Sequence, residues 1–248
     1  MKLIILAAGQ GTRLRPLTDN IPKCMVPVNG KPILKIQLET AERVGISDIN
    51  VVCGYLEEAI AYPNITKHIN DRYETTNMVE SLFSAEKVMD DDVIIAYGDI
   101  IYQDDVLSSL IASEAPISVI VDLEWRNYWE ARMDNPLEDA ESLKMNDDGT
   151  IKELGKKASS FDDVEAQYTG LIKFSKGIMQ KIREFYHSLD RSQLYEGRSF
   201  DQMYMTTFLQ LLSTEVSPLV AVPIKNGWIE VDEPSDLDHV NFYERDSK

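Results

Sequence analysis

A continuous apolar run over residues 3–8 is the feature that most constrains the fold of this chain. An unbroken run of this kind is typical of a strand that is covered on both faces of a sheet. Two more buried strands are predicted at residues 48–53 and 93–96, and helical spacing lies between the three strands, at residues 33–44 and 78–89. Such alternation predicts a parallel sheet with helices on both faces.

The second half of the chain is less regular but contains elements of the same kind. Further strands are predicted at residues 117–123, 150–154, 167–174 and 219–224, and further helices at 175–186, 201–212 and 235–243. Residues 125–148 are polar and acidic and predict an excursion at the surface. Because no linker, repeat or low-complexity tract interrupts the chain, we expect a single Rossmann-like α/β domain over residues 1–248. Its central sheet should be mixed, mostly parallel and flanked by helices.

The formal net charge of −17 argues against a nucleic-acid partner, because binding a phosphate backbone needs a basic face. The only two cysteines, Cys24 and Cys53, are too few for a typical secreted disulfide scaffold and have no neighbours at metal-ligand spacing. No stretch approaches the roughly 20 apolar residues of a membrane span. We therefore expect a cytoplasmic protein without membrane insertion, a monomer or a homodimer, whose partners are small molecules.

The first predicted strand runs into a glycine-rich turn that contains Gly9 and Gly11. A turn without Cβ atoms lets backbone N–H groups approach a polyphosphate. It is not a P-loop, since no Gly-Lys-Ser/Thr follows, and it lacks the third glycine of the dinucleotide-binding fingerprint. Three cations follow within fifteen residues, Arg13, Arg15 and Lys23, in a chain that is otherwise strongly acidic. A plain turn and a solvated basic loop are the alternatives, but the combination favours a triphosphate site.

Two aspartates are candidate ligands of Mg²⁺. Asp99 follows the predicted strand at residues 93–96, and ligands of parallel sheets bind beyond the carboxyl ends of the strands. Asp232 lies near the C-terminus, before a Pro-Ser pair. Either aspartate alone could be a turn former or a helix cap. As a pair beside a phosphate loop they favour Mg²⁺, which typically takes one or two carboxylates together with substrate phosphates.

Residues 6–18, 22–25 and 28–33 resemble the signature of the sugar-phosphate nucleotidyltransferase superfamily, and residues 98–99 and 228–237 resemble its two metal-binding elements. The resemblance implies a nucleotidyltransferase fold and a Mg²⁺-dependent transfer from a nucleoside triphosphate to a phosphorylated acceptor, with release of pyrophosphate. It implies that Arg13 steadies the pyrophosphate and Lys23 meets the acceptor phosphate, as the catalytic pair. It also implies nucleotide contacts at Leu6, Ala7, Ala8, Gly9, Gly11, Thr12, Arg13 and Gly98, and metal binding at Asp99 and Asp232.

Residues 73–83 are similar to the asparagine-x-x-x-serine-leucine-aromatic pattern of the phosphocholine and phosphonate cytidylyltransferase branch, through Asn77, Ser81, Leu82 and Phe83. This similarity implies CTP as the donor and places Asn77 and Ser81 in the nucleotide pocket. It also implies a CDP-linked head group for surface polysaccharide or lipid modification. A helix cap at Asn77 followed by a packing serine at Ser81 is the alternative.

The acceptor side has several candidate residues. The aromatic faces of Trp125, Tyr128 and Trp228 suit a quaternary ammonium group, although core packing is the alternative. Glu165 could meet a primary ammonium, and its surroundings also resemble a sugar-contacting stretch of hexose members. Lys156 is a candidate second contact to the acceptor phosphate or a solvated lysine.

Three functions stay open at this stage. The first is a cytidylyltransferase for phosphocholine, phosphoethanolamine, aminoethylphosphonate or phosphoglutamine. The second is a hexose-1-phosphate nucleotidyltransferase that makes an NDP-sugar. The third, a non-catalytic nucleotide-binding regulatory module, would be expected to lack Arg13, Lys23 or one of the aspartates, and all are present.

Overall fold

A computed structural model describes residues 1–244 of the chain. The strands are β1 (Lys2–Ala7), β2 (Pro27–Val28), β3 (Lys31–Pro32), β4 (Asp48–Cys53), β5 (Thr66–Ile69), β6 (Val93–Tyr97), β7 (Ile100–Tyr102), β8 (Ile117–Asp122), β9 (Glu141–Met145), β10 (Ile151–Lys157), β11 (Gln167–Phe174), β12 (Leu194–Tyr195), β13 (Arg198–Ser199), β14 (Leu219–Ile224) and β15 (Trp228–Glu230). The helices are α1 (Ile33–Arg43), α2 (Met78–Ser84), α3 (Asp104–Ala112), α4 (Trp125–Arg132), α5 (Met179–Ser188), α6 (Met205–Glu215) and α7 (Asn241–Glu244). Short 3₁₀ helices span Thr12–Leu14, Lys23–Met25, Glu57–Ala59, Glu86–Val88, Pro136–Glu138, Phe161–Asp163, Lys176–Ile178, Phe200–Gln202 and Pro234–His239.

Seven strands form the central sheet, in the order β14-β8-β11-β6-β1-β4-β5. β1 is parallel to both β4 and β6, β4 is parallel to β5, and β14 is parallel to β8. β11 is antiparallel to both of its neighbours, β6 and β8, so it alone runs against the other six strands. The sheet is therefore mixed and mostly parallel, and the α/β prediction is confirmed.

The side chains of β1 alternate between two hydrophobic layers, one on each face of the sheet. Leu3 and Ile5 belong to the layer that contains the apolar residues of α1, α3 and α4, whereas Ile4 and Leu6 belong to the layer of α2, α5 and α6. All four residues are buried. Because apolar side chains are covered on both faces, the strand reads as an unbroken apolar run in the sequence.

The strands predicted from apolar runs lie where they were expected, and those at Asp48–Cys53, Gln167–Phe174 and Leu219–Ile224 match to the residue. The three predicted helices of the second half each begin with a 3₁₀ turn. The polar edge strand β5 and the helix α3 were not predicted. Among the residues described, no helix is both long and apolar enough to cross a membrane.

The prediction of a surface excursion over residues 125–148 is wrong. This segment contains α4 and β9, and three of its aromatic residues, Trp125, Tyr128 and Trp129, are almost completely buried. The sequence pattern did not predict the helix, because only three aromatic side chains form its hydrophobic stripe and the residues between them are polar. Part of the segment forms one wall of the site described below.

Candidate functional site

The short ladder between β7 and β15 brings the two candidate metal-binding aspartates together. Asp99 directly precedes β7 and Asp232 lies two residues after β15, and the two strands pair antiparallel with Glu230 opposite Ile100. The N–H of Val231 donates to the carbonyl of Asp99, with 2.9 Å between nitrogen and oxygen. Residues that are 133 positions apart in the sequence therefore face one point at the end of the central sheet.

Lys23 lies between the two carboxylates. Its Nζ donates to Oδ2 of Asp99 at 2.6 Å and also contacts Oδ1 of Asp232. Arg13 donates from Nη2 to Oδ2 of Asp232 at 2.6 Å. The four residues form a charge cluster of two cations and two carboxylates, as expected for a site that must handle phosphates and a divalent cation.

The pKa values of this cluster follow from its geometry. Burial lowers the pKa of Lys23, but the adjacent charges of Asp99 and Asp232 outweigh it and raise that pKa well above its usual value. Burial raises the pKa of Asp232, but Lys23 and Arg13 outweigh it and hold that pKa below its usual value. Lys23 and Asp232 are therefore both ionised at neutral pH.

Two glycines shape the backbone beside this cluster. Gly11 has φ = 63°, in the left-handed region, and a Cβ there would lie 2.9 Å from the Cβ of Lys23. Gly98 donates its N–H to the carbonyl of Leu6 at 2.9 Å, and a Cβ on Gly98 would lie 2.6 Å from that oxygen. Glycine is therefore required at both positions to keep the loop close to Lys23 and β6 close to β1.

The glycine-rich turn, β1 and the charge cluster line one cavity, which we call the loop cavity. Seven residues expected to contact the nucleotide line it: Leu6, Ala7, Gly9, Gly11, Thr12, Arg13 and Gly98. Lys23, Asp99 and Asp232 also line it. Ala8 does not line it: its side chain is buried in the same hydrophobic layer as Leu6, and its carbonyl accepts from the N–H of Tyr55.

A second cavity, which we call the acidic cavity, continues from the same charge cluster. It shares Arg13, Lys23, Asp99 and Asp232 with the loop cavity. Its remaining wall includes three carboxylates and several polar groups: Asp139, Glu141, Gln167, Tyr168, Tyr204 and Glu230. The charge cluster thus stands where the two cavities meet, as a group-transfer centre between two substrates would.

Residues 3–160, about two thirds of the chain, match the family described as the MobA-like NTP transferase domain. The chain belongs to this family. It is 43% identical to the CTP:phosphoglutamine cytidylyltransferase of Campylobacter jejuni, over 96% of this chain and 98% of that protein. It is also 41% identical to the choline-phosphate cytidylyltransferase of Streptococcus pneumoniae, over 38% of this chain and 43% of that protein.

The fold is shared with solved structures of nucleotidyltransferases. The CTP:phosphocholine cytidylyltransferase of Streptococcus pneumoniae superimposes with a TM-score of 0.72 at 23% identity, over 98% of this chain and 97% of that chain. Together with the family match and the 43% identity to a cytidylyltransferase over nearly the whole chain, this shows that the chain is a nucleotidyltransferase, and the resemblance to that superfamily is confirmed.

The carboxylate pair of this nucleotidyltransferase fits a hard divalent cation. Oδ1 of Asp99 is buried and has no hydrogen-bond partner among the described residues, so an oxygen ligand is available there. Within residues 1–244 no group of three or more histidines, cysteines, aspartates or glutamates could hold a metal. A site with two carboxylates suits Mg²⁺, which completes its coordination with substrate phosphates and water.

The structure does not bring the three predicted acceptor aromatics to either cavity. Trp125, Tyr128 and Trp228 lie in the hydrophobic core with at most 4% of their surface exposed. Their ring faces are covered by one another and by neighbouring rings, with centroids of Tyr128 and Trp228 5.9 Å apart. Trp129 contributes to the wall of the acidic cavity instead, and its indole N–H donates to Asp139 at 3.1 Å.

The side chains of four other predicted contact residues make interactions outside the two cavities. Asn77 caps α2 by accepting from the N–H of Met78, and Ser81 is buried and accepts from Asn70. Lys156 is exposed and paired with Glu153 at 2.6 Å, and Glu165 accepts from the backbone N–H of Met145. None of these four side chains lines the loop cavity or the acidic cavity; Met78 lines both.

Sequence reasoning missed the carboxylates of the acidic cavity. Glu230 could have been found, because it stands two residues before Asp232 in an extended segment and alternate residues share one side of a strand. Glu141 could not, since it lies in the segment that looked like a surface excursion. Glu141 is half-buried, and burial with the nearby charges of Asp139 and Glu196 raises its pKa to about 7.

A buried ion-pair network holds the Asp232 loop in place. The Arg132 guanidinium donates to both oxygens of Asp236, at 2.9 and 3.2 Å, and to Glu230 at 2.5 Å. Asp236 in turn accepts from the backbone N–H groups of Asp232 at 2.7 Å and Glu233 at 2.9 Å. Arg132 thus acts on Asp232, the candidate metal ligand, through the loop, as a positioning residue.

Replacing Arg132 by lysine keeps the charge but loses the planar fork that serves two carboxylates at once. We expect Arg132→Lys to lower the free energy of unfolding by about 2 kcal/mol, the value of a charged hydrogen bond in a buried site. Urea denaturation measures this. Arg43→Lys is the matched control, because Arg43 makes a similar fork to Asp104 with both side chains about half exposed. An equal decrease in the free energy of unfolding in the two variants would contradict the conclusion that a buried ion-pair network supports the Asp232 loop.

Proposed function

We propose that the chain is a Mg²⁺-dependent cytidylyltransferase that joins CMP from CTP to a phosphorylated small molecule and releases pyrophosphate. The observation that carries this proposal is the charge cluster at the junction of two cavities. On one side is a glycine-rich turn suited to a triphosphate, and on the other an acidic cavity suited to the non-phosphate part of an acceptor. A CDP-linked product of this kind would serve head-group transfer to a surface polysaccharide or a lipid.

The reaction needs positioning and charge neutralisation more than covalent catalysis. An oxygen of the acceptor phosphate attacks the α-phosphorus of CTP, and the bond from that phosphorus to the bridging β-phosphate oxygen breaks. Lys23, at the junction, neutralises the attacking phosphate, and Arg13 stabilises the charge that develops on the pyrophosphate. Asp99 and Asp232 would hold Mg²⁺, which polarises the phosphoryl oxygens when bound.

CTP as the donor is supported by the relatives. The Campylobacter protein, 43% identical over nearly its whole length, is named for CTP and phosphoglutamine, and the Streptococcus protein is named for choline phosphate and cytidylyl transfer. The acceptor class is supported by the acidic cavity, since three carboxylates suit a cationic group better than a neutral sugar.

Pyrophosphate release with Mg²⁺ tests the proposal. Each of the four common NTPs is offered with phosphocholine, phosphoethanolamine, 2-aminoethylphosphonate, phosphoglutamine and glucose 1-phosphate. We expect turnover with CTP and with at least one amine-bearing acceptor, at kcat/KM at least about tenfold above any other pair, since one lost charged hydrogen bond costs that much. Preferred turnover of glucose 1-phosphate with another NTP would replace this proposal with an NDP-sugar synthase.

A further inference from the structure

Apart from the charge cluster, the charged residues described in the wall of the acidic cavity are all negative. Three carboxylates line it, from Asp139, Glu141 and Glu230. Among the described residues that line this cavity, the cations are Arg13 and Lys23, and both belong to the charge cluster that the cavity shares with the nucleotide side. An acceptor with its phosphate at Lys23 would therefore extend its other end into a field that attracts positive charge.

The three carboxylates differ in how well they are already neutralised. Glu230 accepts from the guanidinium of Arg132 at 2.5 Å, and Asp139 accepts from the indole N–H of Trp129 at 3.1 Å. Glu141 has no cationic side chain within ion-pair distance among residues 1–244. It interacts instead with the Thr206 hydroxyl and lies near the negative charges of Asp139 and Glu196. A half-buried carboxylate without a cation is costly to keep ionised unless a ligand supplies the charge.

A second group in the wall of the same cavity points to a ligand with hydrogen-bond donors. Gln167, the first residue of β11, lines the cavity with only 7% of its surface exposed. Its Oε1 is buried and has no hydrogen-bond partner within residues 1–244. Because buried side-chain carbonyls are nearly always satisfied, an unsatisfied one in a cavity wall indicates a missing donor.

We propose that Glu141 and Gln167 form a subsite for a primary ammonium group of the acceptor, and that this pair determines acceptor specificity. The inference rests on the proposed function, because the acceptor phosphate is taken to lie at Lys23. Glu141 supplies the charge, and Gln167 Oε1 accepts one ammonium N–H. A trimethylammonium group has no N–H and would leave that oxygen unsatisfied, so the subsite favours a primary amine over choline.

The aromatic residues predicted to hold a quaternary ammonium group do not line this cavity, and the aromatic residues that do line it are Tyr97, Trp129, Tyr168 and Tyr204. Quaternary ammonium groups are commonly recognised by exposed aromatic faces, and the faces of Trp125, Tyr128 and Trp228 are buried in the core. Tyr97 and Tyr168 lie beside the subsite, with their hydroxyls 3.2 Å apart, so this part of the wall has polar oxygens as well as ring surface.

The subsite also predicts a pH dependence. Burial, together with Asp139 and Glu196, raises the pKa of Glu141 to about 7, while the Thr206 hydroxyl acts in the opposite direction. The other titratable groups of this cavity wall are Glu230, Tyr97, Tyr168 and Tyr204. Burial also raises the pKa of Glu230, against the opposing charge of Arg132. Protonation below pH 7 removes the charge that attracts the ammonium. We expect the KM for an ammonium acceptor to rise as the pH falls from 8 to 6.

Three probes isolate the subsite: 2-aminoethyl phosphate, phosphocholine and 2-hydroxyethyl phosphate. They share a phosphate monoester and differ at the other end. Because the ammonium groups lower the second pKa of the phosphate, each KM is calculated for the phosphate dianion. With CTP and Mg²⁺, the wild-type kcat/KM for 2-aminoethyl phosphate should exceed that for 2-hydroxyethyl phosphate by about tenfold to a hundredfold, the range of one charged hydrogen bond. The extra pH dependence of KM should appear with 2-aminoethyl phosphate and not with 2-hydroxyethyl phosphate.

Two variants separate the two contacts. Glu141→Gln should remove most of the preference for 2-aminoethyl phosphate over 2-hydroxyethyl phosphate and reduce the extra pH dependence, with the KM for CTP within twofold of wild type. Any extra pH dependence that persists is assigned to Glu230, whose pKa burial also raises. Gln167→Met, which keeps the volume but not the acceptor, should narrow the preference for 2-aminoethyl phosphate over phosphocholine by about tenfold. Glu138→Gln is the control, since Glu138 is exposed, precedes Asp139 and lies outside the cavity.

Binding titrations measure the affinity of the subsite for the same probes without turnover. They are made with a CTP analogue that cannot release pyrophosphate. The titrations therefore test the subsite independently of the proposed function. The proposed function is contradicted if no pair of NTP and acceptor gives pyrophosphate. Equal binding of 2-aminoethyl phosphate and 2-hydroxyethyl phosphate to the wild type, or no binding of either, would overturn the subsite. So would an unchanged preference in Glu141→Gln.

Discussion

Asp99→Asn and Asp232→Asn should each lower kcat by about a hundredfold to a thousandfold, the usual loss when one preorganised charge is removed from a transition state. The asparagine side chain keeps the shape but loses the negative charge that would hold a divalent cation. Both aspartates face the same point, through the β7–β15 ladder and the contacts of Lys23. Pyrophosphate release with CTP and a saturating acceptor measures the loss.

The effects of the two aspartate substitutions on kcat should also be non-additive. If both hold one cation, the double variant should be little worse than either single variant, because the second substitution removes an interaction that is already lost. Mn²⁺ binding in the presence of CTP gives a readout that does not depend on turnover, and both single variants should bind Mn²⁺ more weakly. Asp238→Asn, an exposed position in the same 3₁₀ helix as Asp236, is the matched control. Near-wild-type turnover and Mn²⁺ binding in either aspartate variant would remove that residue from the metal site.

The sheet and the phosphate side of the site could be predicted because their signals are local. A strand covered on both faces must be apolar throughout, as β1 is, and a loop that approaches a triphosphate needs glycines and cations close together in sequence. Asp99 could be predicted for the same reason, since it lies three residues after the end of the buried strand predicted at residues 93–96. Such features depend on residues that are close together in the sequence, and they can therefore be predicted from a single sequence.

The acceptor side could not be predicted in the same way, because it is assembled from distant segments. Glu141 begins β9, Gln167 begins β11 and Glu230 ends β15, and only tertiary packing brings them to one cavity. A segment that lines a polar cavity carries acidic residues and so resembles a surface loop. The aromatic residues of α4 were misjudged for the opposite reason, since their rings complete the core and are covered on both faces.

Lys23 should behave differently from the aspartates, although it contacts both of them. It provides positive charge to the pair, and its pKa is raised because the two carboxylates favour its ionised form over the cost of burial. A divalent cation bound by Asp99 and Asp232 would share these two carboxylates with this ammonium, which contacts Oδ2 of Asp99 and Oδ1 of Asp232. We therefore expect Lys23 to weaken metal binding while it serves the proposed phosphate transfer.

Lys23→Met should lower kcat by about a hundredfold to a thousandfold, because it removes the cation that meets the acceptor phosphate. The same substitution should leave Mn²⁺ affinity at least as high as in the wild type, because the competing ammonium is gone and two uncompensated carboxylates remain. Steady-state turnover and Mn²⁺ titration on the same preparation measure both effects. Lys31→Met serves as the control, because Lys31 is an exposed lysine eight residues further on, paired with Glu39 at 2.6 Å. A loss of both turnover and Mn²⁺ affinity would mean that Lys23 supports the fold of the proposed metal site. A loss of turnover without a loss of Mn²⁺ affinity would separate the role of Lys23 from that of the aspartates.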